Sequence, residues 1–229
     1  MKLQFTLHTA TPESKETVAV DIENFVIAGW AGRDSAAIEH HIQELAELGI
    51  PRPSAVPLYY RVAANQLSQQ ESVQVVSDGS SGEVEAFIFA DQNRWLVSLV
   101  SDHTDRKLEA HSVALSKQLC VKPVGRDAWL FDDVADHWDQ LVLRSSITED
   151  NKKVQYQEGP MSQLQPPADL MQDYFGDSGL PSGWGMSCGT VGTQGSIRHA
   201  VSFEMELFDP VLKRSLTHSY TLDILPEIA

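Results

Sequence analysis

Glu83 and Glu85 flank a single valine at the head of the apolar run EVEAFIFA. In an extended strand, side chains two residues apart point to the same face, so the two carboxylates project together. Like charges a few ångströms apart repel, and burial raises that cost. A bound cation removes it. The competing reading is a solvated strand end, where glutamates are common. A further acid, Asp102, stands in Ser101-Asp102-His103-Thr104-Asp105-Arg106, directly after the run RWLVSLV. If RWLVSLV pairs with EVEAFIFA across the turn DQN, Asp102 comes beside Glu83 and Glu85. Three carboxylates, with waters completing the shell, suit a hard octahedral ion, Mg²⁺ or Mn²⁺. Zinc fits poorly, because His103 and His111 form no ligand pair of the usual spacing with any other His or Cys.

The elements that must position these acids are mostly strands. Residues 1–30 alternate apolar and polar twice (LQFTLH, then VAVDIENFVIAGW). SAAIEHHIQELAEL, residues 35–48, places Ile38, Ile42, Leu45 and Leu48 at helical spacing, with Ser35 as cap and Gly49 as stop. Pro51, Pro53 and Pro57 force an extended connector. PLYYRVA, SVQVV, EVEAFIFA and RWLVSLV follow as strands, and DRKLEAHSVALSKQL as a second helical stretch. HWDQLVLRSSI and KKVQYQEG read as paired strands across Glu149–Asn151, ADLMQDYF as a short helix, and Gly185–Cys188, SFEMELF and SLTHSYTLDIL as closing strands. Many strands with two or three helices give a β-rich α+β fold.

Composition sets the outer limits. With 32 acidic and 17 basic residues among 229, the formal charge is −15. Such a surface repels phosphate backbones and anionic membranes, so a nucleic-acid or membrane partner is not expected. No apolar run approaches the roughly 20 residues that a bilayer span needs, and MKLQFTLHTATPESKETV lacks the apolar block of a secretory signal. Two cysteines, Cys120 and Cys188, make no disulfide framework, and a cytoplasmic location is the expectation.

The motifs, in order, resemble those of the fumarylacetoacetate hydrolase superfamily. Glu83-Val84-Glu85 matches its Glu-x-Glu strand, Ser101-Asp102-His103-Thr104-Asp105-Arg106 its Asn-Asp-x-Thr-x-Arg-like motif, and Ser116-Lys117 before Lys122-Pro123-Val124-Gly125 its Ala-Lys-Ser-Phe-like motif. Leu180-Pro181-Ser182-Gly183 leading to Cys188-Gly189-Thr190 matches its late Gly-Asp-x-Ile-x-x-Gly-Thr-like segment. More narrowly, SDHTDRKLEAHSVALSKQ and FEMELFDPVLKRSLTHSY resemble a bacterial group, DUF2848. The resemblance implies a mixed β-sheet roll with few short helices (residues 51–229), preceded by a small N-terminal strand and lid-helix segment (1–50). It also implies a divalent cation on Glu83, Glu85 and Asp102, with Lys117 beside the substrate and Thr190 on its carboxylate or oxo group. Arg61, in Pro57-Leu58-Tyr59-Tyr60-Arg61, takes the place of a substrate-binding lysine. Members open C–C bonds of acylpyruvates or dioxo acids, decarboxylate oxaloacetate or handle enols of 2-oxo acids, commonly as homodimers. A small oxo acid is therefore the expected partner. An isomerase or hydratase, or a non-catalytic oxo-acid-binding protein, are the alternatives.

Some members carry a His-x-x-Glu pair on a mobile segment that activates water, and His41 and Glu44 have that spacing. The plain alternative is the wet face of an amphipathic helix, and His40 is a second candidate imidazole. Lys117 has a similar plain reading as a surface helix lysine. Gly185-Met186-Ser187-Cys188-Gly189 imitates a nucleophile elbow, but the following GTVGTQGSIRHA has no helical period. Its glycines make no phosphate loop, since no GK[ST] follows.

Overall fold

A computed structural model describes residues 1–10, 13–47 and 52–228, with the side chains of His41, Glu44, Leu45 and Glu47 outside that description. The chain begins with strands β1 (Lys2–Ala10), β2 (Glu13–Asp21) and β3 (Asn24–Gly29), helix α1 (Ser35–Glu47) and strand β4 (Leu58–Val62). Next come β5 (Leu67–Ser68), β6 (Ser72–Val76), β7 (Ser80–Ser81), β8 (Val84–Asp91), β9 (Arg94–Ser101) and β10 (Thr104–Asp105). Two short helices follow, α2 (Arg106–Glu109) and α3 (Val113–Leu119), then β11 (Lys122–Pro123) and β12 (Asp127–Leu130). The last third holds β13 (Val142–Glu149), β14 (Lys152–Pro160), α4 (Pro167–Phe175), β15 (Trp184–Thr190), β16 (Ser202–Asp209) and β17 (Arg214–Leu225).

An eight-stranded mixed sheet runs β2-β1-β12-β9-β8-β15-β3-β4, and a five-stranded sheet runs β14-β13-β16-β17-β6. Strands from the first 30 residues are built into the larger sheet: β3 lies between β15 and β4, so the N-terminal segment and the rest share one sheet. Strand β8 is buried on both faces. Val84, Ala86 and Ile88 face one apolar cluster, shared with Leu143, Met205 and Leu207 of the smaller sheet. Phe87 and Phe89 face the other, with Phe5, Phe25, Ile27 and Val100. Glu85 continues the row of Phe87 and Phe89 by the two-residue period.

Local chemistry accounts for the turns that hold this layout. β8 and β9 pair antiparallel from Val84↔Ser101 to Asp91↔Arg94, closed by Gln92-Asn93, as the DQN turn led one to expect. β13 and β14 close through Asp150 and Asn151, both at positive φ, the geometry of a tight hairpin turn matched to strand twist. At α1 the cap is Asp34 rather than Ser35: its Oδ1 accepts from the N–H groups of Ala36 (2.9 Å) and Ala37 (3.1 Å). Ser35 is the first helical residue, and Gly49 lies outside the described residues. The expected single helix over 105–119 is two. It breaks after Glu109, and Ser112 caps α3 by accepting from the Leu115 N–H. HWDQ forms a short 3₁₀ segment, and the strand starts only at Val142.

Candidate metal centre and active site

The β8–β9 register delivers Asp102 to the two glutamates. The Asp102 N–H donates to the Glu83 carbonyl at 2.9 Å, one residue beyond the Val84↔Ser101 pair. One carboxylate oxygen from each of Glu83, Glu85 and Asp102 then lies within 4.8 Å of the others. Glu85 and Asp102 are buried and Glu83 is half-buried, so the solvated-strand-end reading does not hold.

Glu85 is held from β15. The Ser187 hydroxyl donates to Glu85 Oε2, and the Gly189 N–H donates to the same oxygen at 3.0 Å. The second bond depends on an irregularity in the β15–β8 pairing between Ser187 and Thr190, where Gly189 takes φ +86°. A Cβ at Gly189 would lie 2.9 Å from that of Ala31, so glycine is required by both backbone and space. Burial, reinforced by the Asp102 and Glu83 charges, pushes the Glu85 carboxyl up to about 8.

Asp102 lies between two lysines. Lys117 Nζ donates to Oδ2, and Lys122 Nζ is 3.1 Å from Oδ1 while also donating to the His103 carbonyl. Burial favours a neutral Asp102, but the lysines outweigh it and hold the carboxyl well below its usual range. Burial likewise favours a neutral Lys117, and Asp102 with Glu83 outweighs that and raises its pKa. Lys122 is fully buried (0% exposed), and desolvation prevails there, lowering its pKa. Glu83 meets Arg106 at 3.0 Å, and Arg106 in turn reaches Glu109 at 3.0 Å and the Ser81 hydroxyl at 2.7 Å. Behind this layer, burial and the Lys122 charge depress His103 to about 3, so it is neutral between Tyr220 Oη and Ser80 Oγ, both at 2.9 Å.

Glu83, Glu85, Asp102, Arg106, Glu109 and Lys117 all line one cavity of about 930 Å³. The donor set tests well against a divalent cation. It is all oxygen, as hard cations require, and it contains a carboxyl that desolvation has forced towards protonation. Four carboxylates face three fixed cations in this cluster. Exchanging the Glu85 proton for a divalent ion turns a balanced site into one with net positive charge, suited to an anionic ligand.

Thr190 lines the cavity, but its hydroxyl is committed: it donates to the Val84 carbonyl at 2.7 Å and accepts from Gln157 Nε2 at 2.8 Å. Its remaining lone pair accepts a hydrogen bond, so it suits an enol or hydroxyl of a ligand rather than a carboxylate. Arg61 is not brought into the cluster. It lies 4.4 Å over the Trp184 ring and donates to Asn24 Oδ1 at 2.7 Å, while its neighbour Tyr60 lines the cavity. Alternation along β4 puts the two on opposite faces. The His41 and Glu44 side chains lie outside the described residues. Lys122, Arg106, Glu109, Ser187 and Tyr60 join the site without having been given roles from sequence. The only signal for them was proximity in the chain to motif residues.

Residues 28–220 match the family described as "Protein of unknown function (DUF2848)". No curated protein matches the chain in sequence. The fold is similar to that of 2-keto-3-deoxyarabinonate dehydratase (TM-score 0.65, 12% identity, covering 95% of this chain and 80% of that one). It is similar too to Cg1458 with inhibitor (0.63, 13%, 93% and 81%). The dehydratase complexed with magnesium and 2,5-dioxopentanoate also matches (0.63, 12%, 90% and 75%). These are folds of the fumarylacetoacetate hydrolase superfamily, and the strand-rich roll with few short helices is of that type. Among the described residues, no helix is long and apolar enough to cross a membrane.

Proposed function

The chain belongs to the DUF2848 family, and from that premise we propose that it is a divalent-cation-dependent enzyme acting on a small 2-oxo or 1,3-dicarbonyl acid, by acylpyruvate-type C–C cleavage or decarboxylation. The observation that carries this reading is the convergence of Glu83, Glu85 and Asp102 within 4.8 Å, in a cavity large enough for a small organic acid. Mg²⁺ or Mn²⁺ is the proposed ion, with those carboxylates as its protein ligands. When bound, such an ion supplies Lewis acidity toward substrate oxygens that gain negative charge.

The chain's own residues take the following parts. Lys117, kept ionised by Asp102, is no proton acceptor; its ammonium stabilises negative charge developing on the substrate. Arg106 braces Glu83 so that its carboxylate faces the cavity. Thr190 accepts from an enol hydroxyl. His41, oriented by Glu44, activates water if the bond is cleaved by hydrolysis, whereas decarboxylation needs only a sink for the electron pair. The homodimer implied by the family resemblance belongs to the same proposal, and sedimentation measures it.

Dehydration or isomerisation at this site is the second reading, favoured by the similarity in fold to a dehydratase that binds magnesium. Fold alone does not choose between them. The test is a panel of acylpyruvates, oxaloacetate and 3-deoxy-2-oxo acids with Mg²⁺ or Mn²⁺, followed by ultraviolet absorbance, beside calorimetric titration of each ion. An Asp102→Asn variant that kept full cation affinity would overturn the metal site. A protein that held oxalate only with Mg²⁺, yet returned every candidate unchanged, would be a binding protein instead.

A further inference from the structure

The cavity is not lined by charge alone. Trp30, Ile38, Tyr60, Val113, Leu164 and Ile197 give it an apolar lining beside the charged residues, with Lys117 Nζ 5.5 Å from the Tyr60 ring centroid. A three-carbon oxo acid takes roughly the room of three waters, ~90 Å³, about a tenth of the 930 Å³ on offer. The charged residues therefore account for only a small part of what the cavity can hold.

This apolar wall is a built feature. Trp30 follows β3 at φ +58°, a left-handed conformation that large side chains rarely adopt and that tends to be retained at functional sites. The residues near it are bare for a reason. A Cβ on Gly29 would lie 2.7 Å from the Tyr60 ring, and one on Gly32 would lie 3.2 Å from the Ile38 side chain. Both glycines thus let a wall residue close in beside Trp30. Ile197, another wall residue, is 50% exposed, an apolar side chain kept at the cavity with half its surface uncovered. Hydroxyl groups pressed against this wall would lose water and gain carbon in exchange.

On the reading of the charged residues as an oxo-acid site, we propose that the substrate is a 2-oxo or 1,3-dicarbonyl acid bearing an aryl or branched alkyl tail. The tail packs on Trp30, Ile38 and Ile197, and Trp30 is a specificity-determining residue. Polyhydroxylated, sugar-derived acids are disfavoured by the same wall.

Calorimetric titration of the full chain with Mg²⁺ tests this with three ligands: pyruvate, 2-oxo-4-phenylbutanoate and a 3-deoxy-2-oxo sugar acid. The aryl ligand is expected to bind roughly tenfold or more tighter than pyruvate, and the sugar acid no tighter than pyruvate. Trp30→Gly, in which glycine accepts the left-handed backbone without strain, removes most of the aryl advantage. Ile197→Asp, at a half-exposed position, gives the same comparison without touching that backbone. Equal binding of aryl ligand and pyruvate, a preference for the sugar acid, or an aryl advantage surviving both variants overturns the proposal and leaves the oxo-acid reading standing. If none of the three binds in a Mg²⁺-dependent way, the oxo-acid reading fails and this inference falls with it.

Discussion

Lys122 Nζ lies 3.1 Å from Asp102 Oδ1, and neither side chain is reached by solvent. The same ammonium donates to the His103 carbonyl, so it ties the side chain of one residue to the backbone of the next. Without Lys122, Asp102 keeps only Lys117 as a cationic partner, and the His103 carbonyl loses this buried donor. Lys122→Met is expected to lose on the order of 3 kcal/mol of unfolding free energy, read from guanidinium denaturation. A loss below ~1 kcal/mol, the scale of an exposed pair, would show that the lysine does not brace Asp102.

Glu85 sets a pH dependence whose sign is fixed by its raised pKa of about 8. The folded cation-free protein holds this proton where the unfolded chain has released it. The folded state therefore binds more protons, and its stability falls as pH rises from the ordinary carboxylate range through about 8. The slope approaches ~1.4 kcal/mol per pH unit within that window. A saturating divalent cation should flatten it, and its binding at pH 7 should release close to one proton. Calorimetry in buffers of different ionisation enthalpy measures that release, and an absence of release would remove Glu85 from the ligand set.

Gly189→Ala should disturb site and fold together. Alanine at φ +86° is strained, and its methyl meets Ala31 at 2.9 Å. The expected cost is about 1–3 kcal/mol, seen in thermal melts, with weaker Mg²⁺ binding because the backbone shift that relieves the strain draws the residue 189 N–H away from Glu85. Unchanged cation affinity would mean that this bond does not orient Glu85.

Arg61→Ala should leave oxo-acid and cation affinities within about twofold of the wild type, because the guanidinium lies over Trp184 on the face away from Tyr60 and the cavity. A tenfold loss of ligand affinity would return Arg61 to the site and call for a rotation of β4.

The carboxylate cluster was legible in sequence because it rests on local rules: a two-residue period, a hairpin and a turn between adjacent strands. What escaped depends on contacts distant in the chain. β12, four residues long, sits between β9 and β1 and pairs in parallel with β1, more than a hundred residues away. Lys122 belongs to a two-residue strand paired with Leu67, too short to carry any pattern. In α3, Lys117 is 6% exposed and Leu115 59% exposed, so the plain reading of Lys117 as a surface helix lysine does not hold. Burying an ammonium is tolerable there only because Asp102 waits for it, and no periodicity reveals a partner in another element. Arg61 shows how sharply alternation decides: the neighbouring tyrosine faces the cavity, and one residue of register separates the two.

The three basic side chains around the acids have a consequence for how the protein lives with its ion. Lys117, Lys122 and Arg106 already hold Asp102 and Glu83 in place, so the chain is expected to fold without a metal. The ion is then an exchangeable visitor rather than a keystone. Chelation should silence the site reversibly while the chain stays folded, and whichever hard cation is most abundant should fill it.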